Sequence, residues 1–238
     1  MTRRRMMARA LAAALGAAVV TAHDGAAQVG HTPESSPYAD LVYRHELTTF
    51  TGYLDTRRDP AGVAPRSAPL GGVRYALHLT GPAHFTARVA YARSERTVLD
   101  PLEPAMSRVV LSGAQVPLLV ADVGVALSLT GFKSWNRVVP ELNGGLGFIT
   151  DFRTEGDVGG FSFGTRFALT VGAGIRYVPG GRFQLRADVT DNLYRISYPD
   201  SYYRTASDQT RILDPDQPKA FWTHNPSLTL GVSYLFWR

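Results

Sequence analysis

Eight stretches of this chain alternate apolar and polar residues with a period of two, and the connections between them alternate long and short. The stretches are 46–54, 71–80, 84–94, 117–130, 138–150, 164–178, 182–195 and 226–237. Side chains of a strand point to opposite faces in turn, so each stretch can set an apolar stripe against small or polar groups. Most are longer than the ~5–6 residues usual in soluble strands and reach the ~9–11 that a tilted membrane strand needs. The connections at 55–70, 95–116, 151–163 and 196–225 are long, whereas 81–83, 131–137 and 179–181 are short. Short turns at one end and long loops at the other are the arrangement of single-chain membrane barrels with an even strand number. A soluble sandwich has no reason to sort its loops by end.

The faces separate cleanly on several stretches. Phe85, Ala87, Val89 and Tyr91 oppose Thr86, Arg88, Ala90 and Ala92; Leu119 to Leu129 oppose Asp122, Gly124, Ala126, Ser128 and Thr130. Phe167 to Tyr177 oppose Arg166, Thr170, Gly172, Gly174 and Arg176, and Phe183 to Val189 oppose Gln184, Arg186, Asp188 and Thr190. Tyr91, Tyr177, Phe183, Tyr194, Tyr234 and Phe236 fall near strand ends, where an interfacial aromatic girdle belongs. The first stretch is ambiguous, because Phe50 and Tyr53 lie on opposite faces.

The two ends of the chain point the same way. Arg3, Arg4, Arg5 and Arg9 precede an apolar, Ala-rich run from Ala10 to Ala22, too short for the ~20 residues of a spanning helix. Such a basic, apolar, small-residue series reads as a secretory leader cut after Ala27, giving a signal peptide over 1–27, a linker over 28–45 and a barrel over 46–238. The formal charge of +5 includes the four leader arginines and Asp24, so the remainder carries about +2 and no nucleic-acid footprint is expected. There is no cysteine, hence no disulfide framework or thiolate metal site, and no motif calls for a cofactor. Past the leader no apolar run reaches helix-spanning length, so a membrane form must be a closed barrel.

The last stretch carries polar-x-Gly-x-x-aromatic-x-aromatic at Thr229, Gly231, Tyr234 and Phe236, followed by Trp237 and Arg238. This resembles the C-terminal targeting signal of bacterial outer-membrane β-barrels, in which the last residue is usually the aromatic. As architecture, the chain from 46 onward resembles the eight-stranded outer-membrane barrel family typified by the transmembrane domain of outer-membrane protein A. The resemblance implies an all-β, eight-stranded antiparallel up-and-down transmembrane β-barrel in the bacterial outer membrane. It implies outer-membrane lipids and the barrel-insertion machinery as partners, and no enzymatic role.

Inside such a barrel there is room only for side chains. Arg74, Arg88, Asp122, Glu141, Arg176, Arg186 and Asp188 fall on the polar faces and read as a lumen network of Arg–carboxylate pairs rather than a channel lining, because an unpaired buried charge costs several kcal/mol. His78 joins that polar interior. Gly160-Phe161-Ser162-Phe163-Gly164 matches the Gly-x-Ser-x-Gly of serine hydrolases, but it leads into a strand and not a strand–turn–helix elbow. His224 and Ser227 invite comparison with outer-membrane lipid A deacylases, yet three residues apart they face opposite ways in a strand. A lipid-modifying enzyme and a soluble periplasmic barrel binding a lipophile are the two competing readings. Loops 95–116 and 196–225 are where an extracellular ligand would bind; the second is rich in Tyr, Trp and Arg, the residues of binding hot spots.

Overall fold

The structure, a computed structural model, describes residues 36–153 and 155–238, so the leader read at 1–27 lies outside the described residues. From Tyr38 onward there are eleven strands: β1 (Tyr38–Asp40), β2 (His45–Leu54), β3 (Ala68–Thr80), β4 (Ala83–Leu99), β5 (Val109–Ser128), β6 (Lys133–Trp135), β7 (Val138–Thr150), β8 (Thr165–Tyr177), β9 (Phe183–Ser197), β10 (Ala220–Thr223) and β11 (Pro226–Phe236). Eight of them, β2, β3, β4, β5, β7, β8, β9 and β11, each pair antiparallel with the next. The ring closes where β11 meets β2, from Ser227 opposite Leu54 to Phe236 opposite His45. Closure removes the free sheet edges that would otherwise leave backbone groups unpaired. The fold is an eight-stranded antiparallel up-and-down β-barrel, and all eight stretches read in the sequence are its strands.

Its polarity is inside out. Leu127, Leu146, Phe167, Val171, Ile175, Leu185, Leu228 and Leu230 stand exposed on the outer wall, while Glu46, Arg74, Glu141, Arg176, Gln184 and Arg186 are buried within. The outer stripe of β8 from Phe167 to Tyr177 rises ~25 Å along a barrel axis tilted at about 40° to the strands, the height of a hydrocarbon layer. On β2 the structure settles the orientation that the residues left open: Glu46, Thr48, Phe50 and Leu54 turn inward, and Leu47, Thr49, Thr51 and Tyr53 outward.

The lumen has two layers. Toward the long loops, Leu54, Leu70, Val116, Leu118, Ile149 and Tyr194 form an apolar core with residues that the loops fold back over it, among them Val63, Phe161, Phe163, Tyr198, Tyr202 and Leu213. Toward the short turns the interior is ionic. At that end the chain before β2, part of the stretch read as a linker, pairs as β1 with β6 (Tyr38 opposite Trp135, Asp40 opposite Lys133).

Two local expectations are corrected. Tyr194 is not in an outer girdle: it is 1% exposed and inside. It shares the parity of Gln184, Arg186 and Asn192, and β9 carries that inward face on past the belt as far as Ile196. The loop read at 95–116 is largely strand, since β4 runs to Leu99 and β5 begins at Val109. Val109, Val110 and Leu111 are all exposed, so no period of two marks this part, and pairing with β4 through irregular register near Arg96 and Val98 fixes it instead.

Candidate functional site: the filled lumen and its loop cap

The inward face of β4 sets Arg88 directly across from Asp122 on β5, and their side chains meet at 2.7 Å. Arg88 also donates to Asn192 Oδ1 at 2.8 Å, tying β4 to β9 across the lumen. Arg186 on β9 holds Asp188 at 2.6 Å and Glu141 of β7 at 2.7 Å. Arg176 on β8 reaches the same Glu141 at 2.8 Å and Glu46 of β2 at 3.0 Å. Arg74 has a longer contact with Asp188, 3.7 Å. The structure thus brings together all seven residues named as a lumen network, in two adjoining clusters.

Glu46 is the member that sequence reasoning missed. It lies between Arg176 and Arg186 (3.6 Å) and accepts hydrogen bonds from Ser233 Oγ at 2.7 Å and Thr48 Oγ1 at 3.0 Å. With it, four guanidiniums face four carboxylates. That balance matters because the register also opposes Arg74 with Arg88 and Arg176 with Arg186, and like charges directly opposite are destabilising. Gly174 makes room for the arrangement: it sits between Glu141 and Asp188 in the sheet, and a Cβ there would run into the Asp188 carboxylate. The void left among Thr48, Arg74, Arg88, Asp122 and Asp188 measures about 30 Å³, room for a water or two.

The cap above this layer is tied by polar contacts between loops. Arg96 pairs with Asp157 at 2.8 Å and lies 5.6 Å over the Phe161 ring. The Tyr198 hydroxyl donates to Asp59 Oδ2 at 2.7 Å, while Asp59 also accepts from the Val63 and Ala64 amides. Burial, with that hydrogen bond to a carboxylate, raises the Tyr198 hydroxyl above the ordinary phenol value. Of the aromatic residues read in loop 196–225 as a recognition surface, Tyr198 and Tyr202 are therefore cap residues; Trp222 stays exposed.

The remaining sequence candidates separate. Ser162 lies between Phe161 and Phe163, both buried in the cap, so this Gly-x-Ser-x-Gly puts two aromatic side chains into the plug. His224 is exposed and its Nδ1 is 2.6 Å from Asp191 Oδ2, but Ser227 is buried on the inner face, donating to the Thr190 carbonyl at 3.1 Å. The histidine and serine are thus on opposite sides of the wall. His78 stacks on Phe132 at 3.9 Å near the short-turn mouth, with Nε2 3.0 Å from the Gly81 carbonyl. Among the described residues no three His, Cys, Asp or Glu side chains group to hold a metal ion. Of the C-terminal pattern, Thr229 is buried on the inner face, Tyr234 stacks with Phe236 (6.3 Å) and packs against Phe183 (5.4 Å), and Arg182 donates to the Tyr234 hydroxyl at 3.1 Å.

No family model matches the chain, and no curated protein sequence matches it. Among solved structures, the outer membrane protein OprG from Pseudomonas aeruginosa is 12% identical, with 83% of this chain and 99% of that chain covered and a TM-score of 0.47. Neisserial surface protein A is 15% identical over 81% of this chain and 97% of its own, with a TM-score of 0.47. Outer membrane protein AlkL in lipid bilayers is 16% identical over 88% and 97%, with a TM-score of 0.40. This chain is similar to each of them over most of its length, at identities that leave its own residues to define the site.

Proposed function

We propose that the protein is an integral β-barrel of the bacterial outer membrane that performs no catalysis, conducts no solute through its filled lumen, and presents its four long loops at the cell surface. One observation carries this: a closed barrel whose outer wall is a continuous band of exposed Leu, Val, Ile and Phe and whose lumen holds an ion-paired network of eight charged side chains. Soluble monomers rarely expose an apolar patch beyond a few hundred Å², whereas a lipid-facing wall requires one. A lipophile-binding soluble barrel needs the opposite polarity. The deacylase reading needs a serine beside His224, and Ser227 points inward.

Orientation and targeting are both testable. With the long loops outward, protease added to intact cells should cut within 196–222 or 100–108 and spare the turns at 81–82 and 178–182. A tag inserted at Gly180 should stay unlabelled on whole cells; a labelled tag would invert the orientation. For the C-terminal pattern, Tyr234→Ala combined with Phe236→Ala should cut the amount of folded barrel in the outer membrane sharply. Normal assembly of that double variant would remove Tyr234 and Phe236 from the targeting role.

A further inference from the structure

The short-turn mouth of the barrel is roofed. Leaving β1, the chain crosses toward β2 with Leu41 buried, its amide donating to the Phe132 carbonyl at 3.1 Å. Arg44 is pinned by two backbone hydrogen bonds, donating to the Trp237 carbonyl at 3.0 Å and accepting from His78 at 2.8 Å. Since β6 follows β5 and β2 lies three strands away in the ring, this strap spans the opening instead of following one wall. Between strap and ionic layer is a cavity of about 440 Å³, within the size range of small-molecule sites.

Its lining has a definite chemistry. Glu46 and Arg176 at its inner end neutralise each other, and Asp40 pairs with Lys133 at 3.5 Å. Arg44, Arg137 and Arg238 remain, and among the described residues none of the three has an ion-pair partner; Arg238 lies 5.8 Å over the Tyr43 ring, which leaves Arg44 and Arg137 to meet a ligand. Arg137 is also fixed through its backbone, its carbonyl accepting from the Val178 amide at 2.7 Å. At the inner side Gln184, only 2% exposed, lines the cavity with an Oε1 that accepts no hydrogen bond. An unpaired buried acceptor costs ~1–3 kcal/mol until a donor reaches it.

From this lining we infer that the cavity is a binding site for a small carboxylic acid that also carries a hydroxyl or amide donor. The carboxylate takes Arg44 and Arg137, and the donor satisfies Gln184 Oε1. The site stands whichever way the barrel faces, so its failure would leave the membrane reading untouched.

Isothermal titration of the full-length protein, folded in detergent at physiological salt, tests this with three probes. Citrate has carboxylates and a hydroxyl, tricarballylate is the same acid without the hydroxyl, and glucose has hydroxyls alone. Citrate should bind with a dissociation constant below about 1 mM, and tricarballylate more weakly by ~5–10-fold, the effect of one unmade hydrogen bond. Glucose should give no saturable signal. Arg44→Gln with Arg137→Gln should weaken citrate by at least ~10-fold, the loss of charge-assisted contacts. Both side chains are exposed, so the urea midpoint of that variant should not move; it serves as the folding control. The absence of saturable citrate binding, equal binding of citrate and tricarballylate, or citrate binding indifferent to the double substitution would each overturn the assignment.

Discussion

Glu141→Ala should lower the stability of the folded barrel by ~3–5 kcal/mol, the usual cost of breaking a buried ion pair by removing one partner. Glu141 is 3% exposed and is the carboxylate shared by Arg176 and Arg186, at 2.8 and 2.7 Å. Without it, Arg176 would keep Glu46 as its one carboxylate and Arg186 would keep Asp188 and the longer contact to Glu46, although the register places the two guanidiniums directly opposite each other. The measurement is the urea unfolding midpoint in detergent or liposomes. Leu127→Ala is the control: it stands on the outer wall of β5, where acyl chains are as apolar as the side chain lost, and should cost less. A larger loss from Leu127→Ala would mean that the two faces of β5 are exchanged, with an apolar core and a watery exterior. Replacing Glu141 and Arg186 together by apolar residues of similar volume should recover much of the loss, because no orphaned charge is then left in the lumen.

A second large effect should come from the cap. Phe163 is 1% exposed and meets Tyr194 edge-on at 5.6 Å, although it lies in a loop just before β8. Phe163→Ala should cost ~3–5 kcal/mol, the range for deleting a buried aromatic ring. Phe152→Ala, in the same loop but 66% exposed, should stay within about ±0.5 kcal/mol. The paired urea midpoints measure the difference. Equal midpoints for the two variants would show that the loops are draped over the barrel without plugging it.

The strands were legible because an exposed apolar wall on one side and a packed polar lumen on the other impose a period of two on β4, β5, β8 and β9. The seven lumen residues could be named for the same reason: each is a charge on an inward parity. Glu46 escaped because β2 mixes its faces. Its inward side runs Glu46, Thr48, Phe50, Gly52 and Leu54, and its outward side Leu47, Thr49, Thr51 and Tyr53, so neither is clearly the apolar one. Its pairing with β11, which aligns Thr48 with Ser233, orients it, and that is a long-range contact. The cap was hidden for a related reason. Phe161, Phe163, Tyr198 and Tyr202 lie in segments with no strand period, and only the closing of the loops over one mouth brings them to Tyr194. An aromatic-rich loop looks the same in sequence whether it meets a partner or its own barrel. The strap and cavity at the other mouth had no signal either, because Tyr38–Arg44 is short and its partners at 132–135 and 237 are far along the chain.

The central claim is a closed barrel facing lipid, and fractionation with heat-dependent gel mobility tests it most directly. The expressed protein should remain with outer membranes through an alkaline carbonate wash. It should also run in a detergent gel at one position unheated and another after boiling, since the closed barrel survives the detergent cold and unfolds when heated. Release by carbonate into the soluble fraction, with a single gel position before and after boiling, would contradict the account.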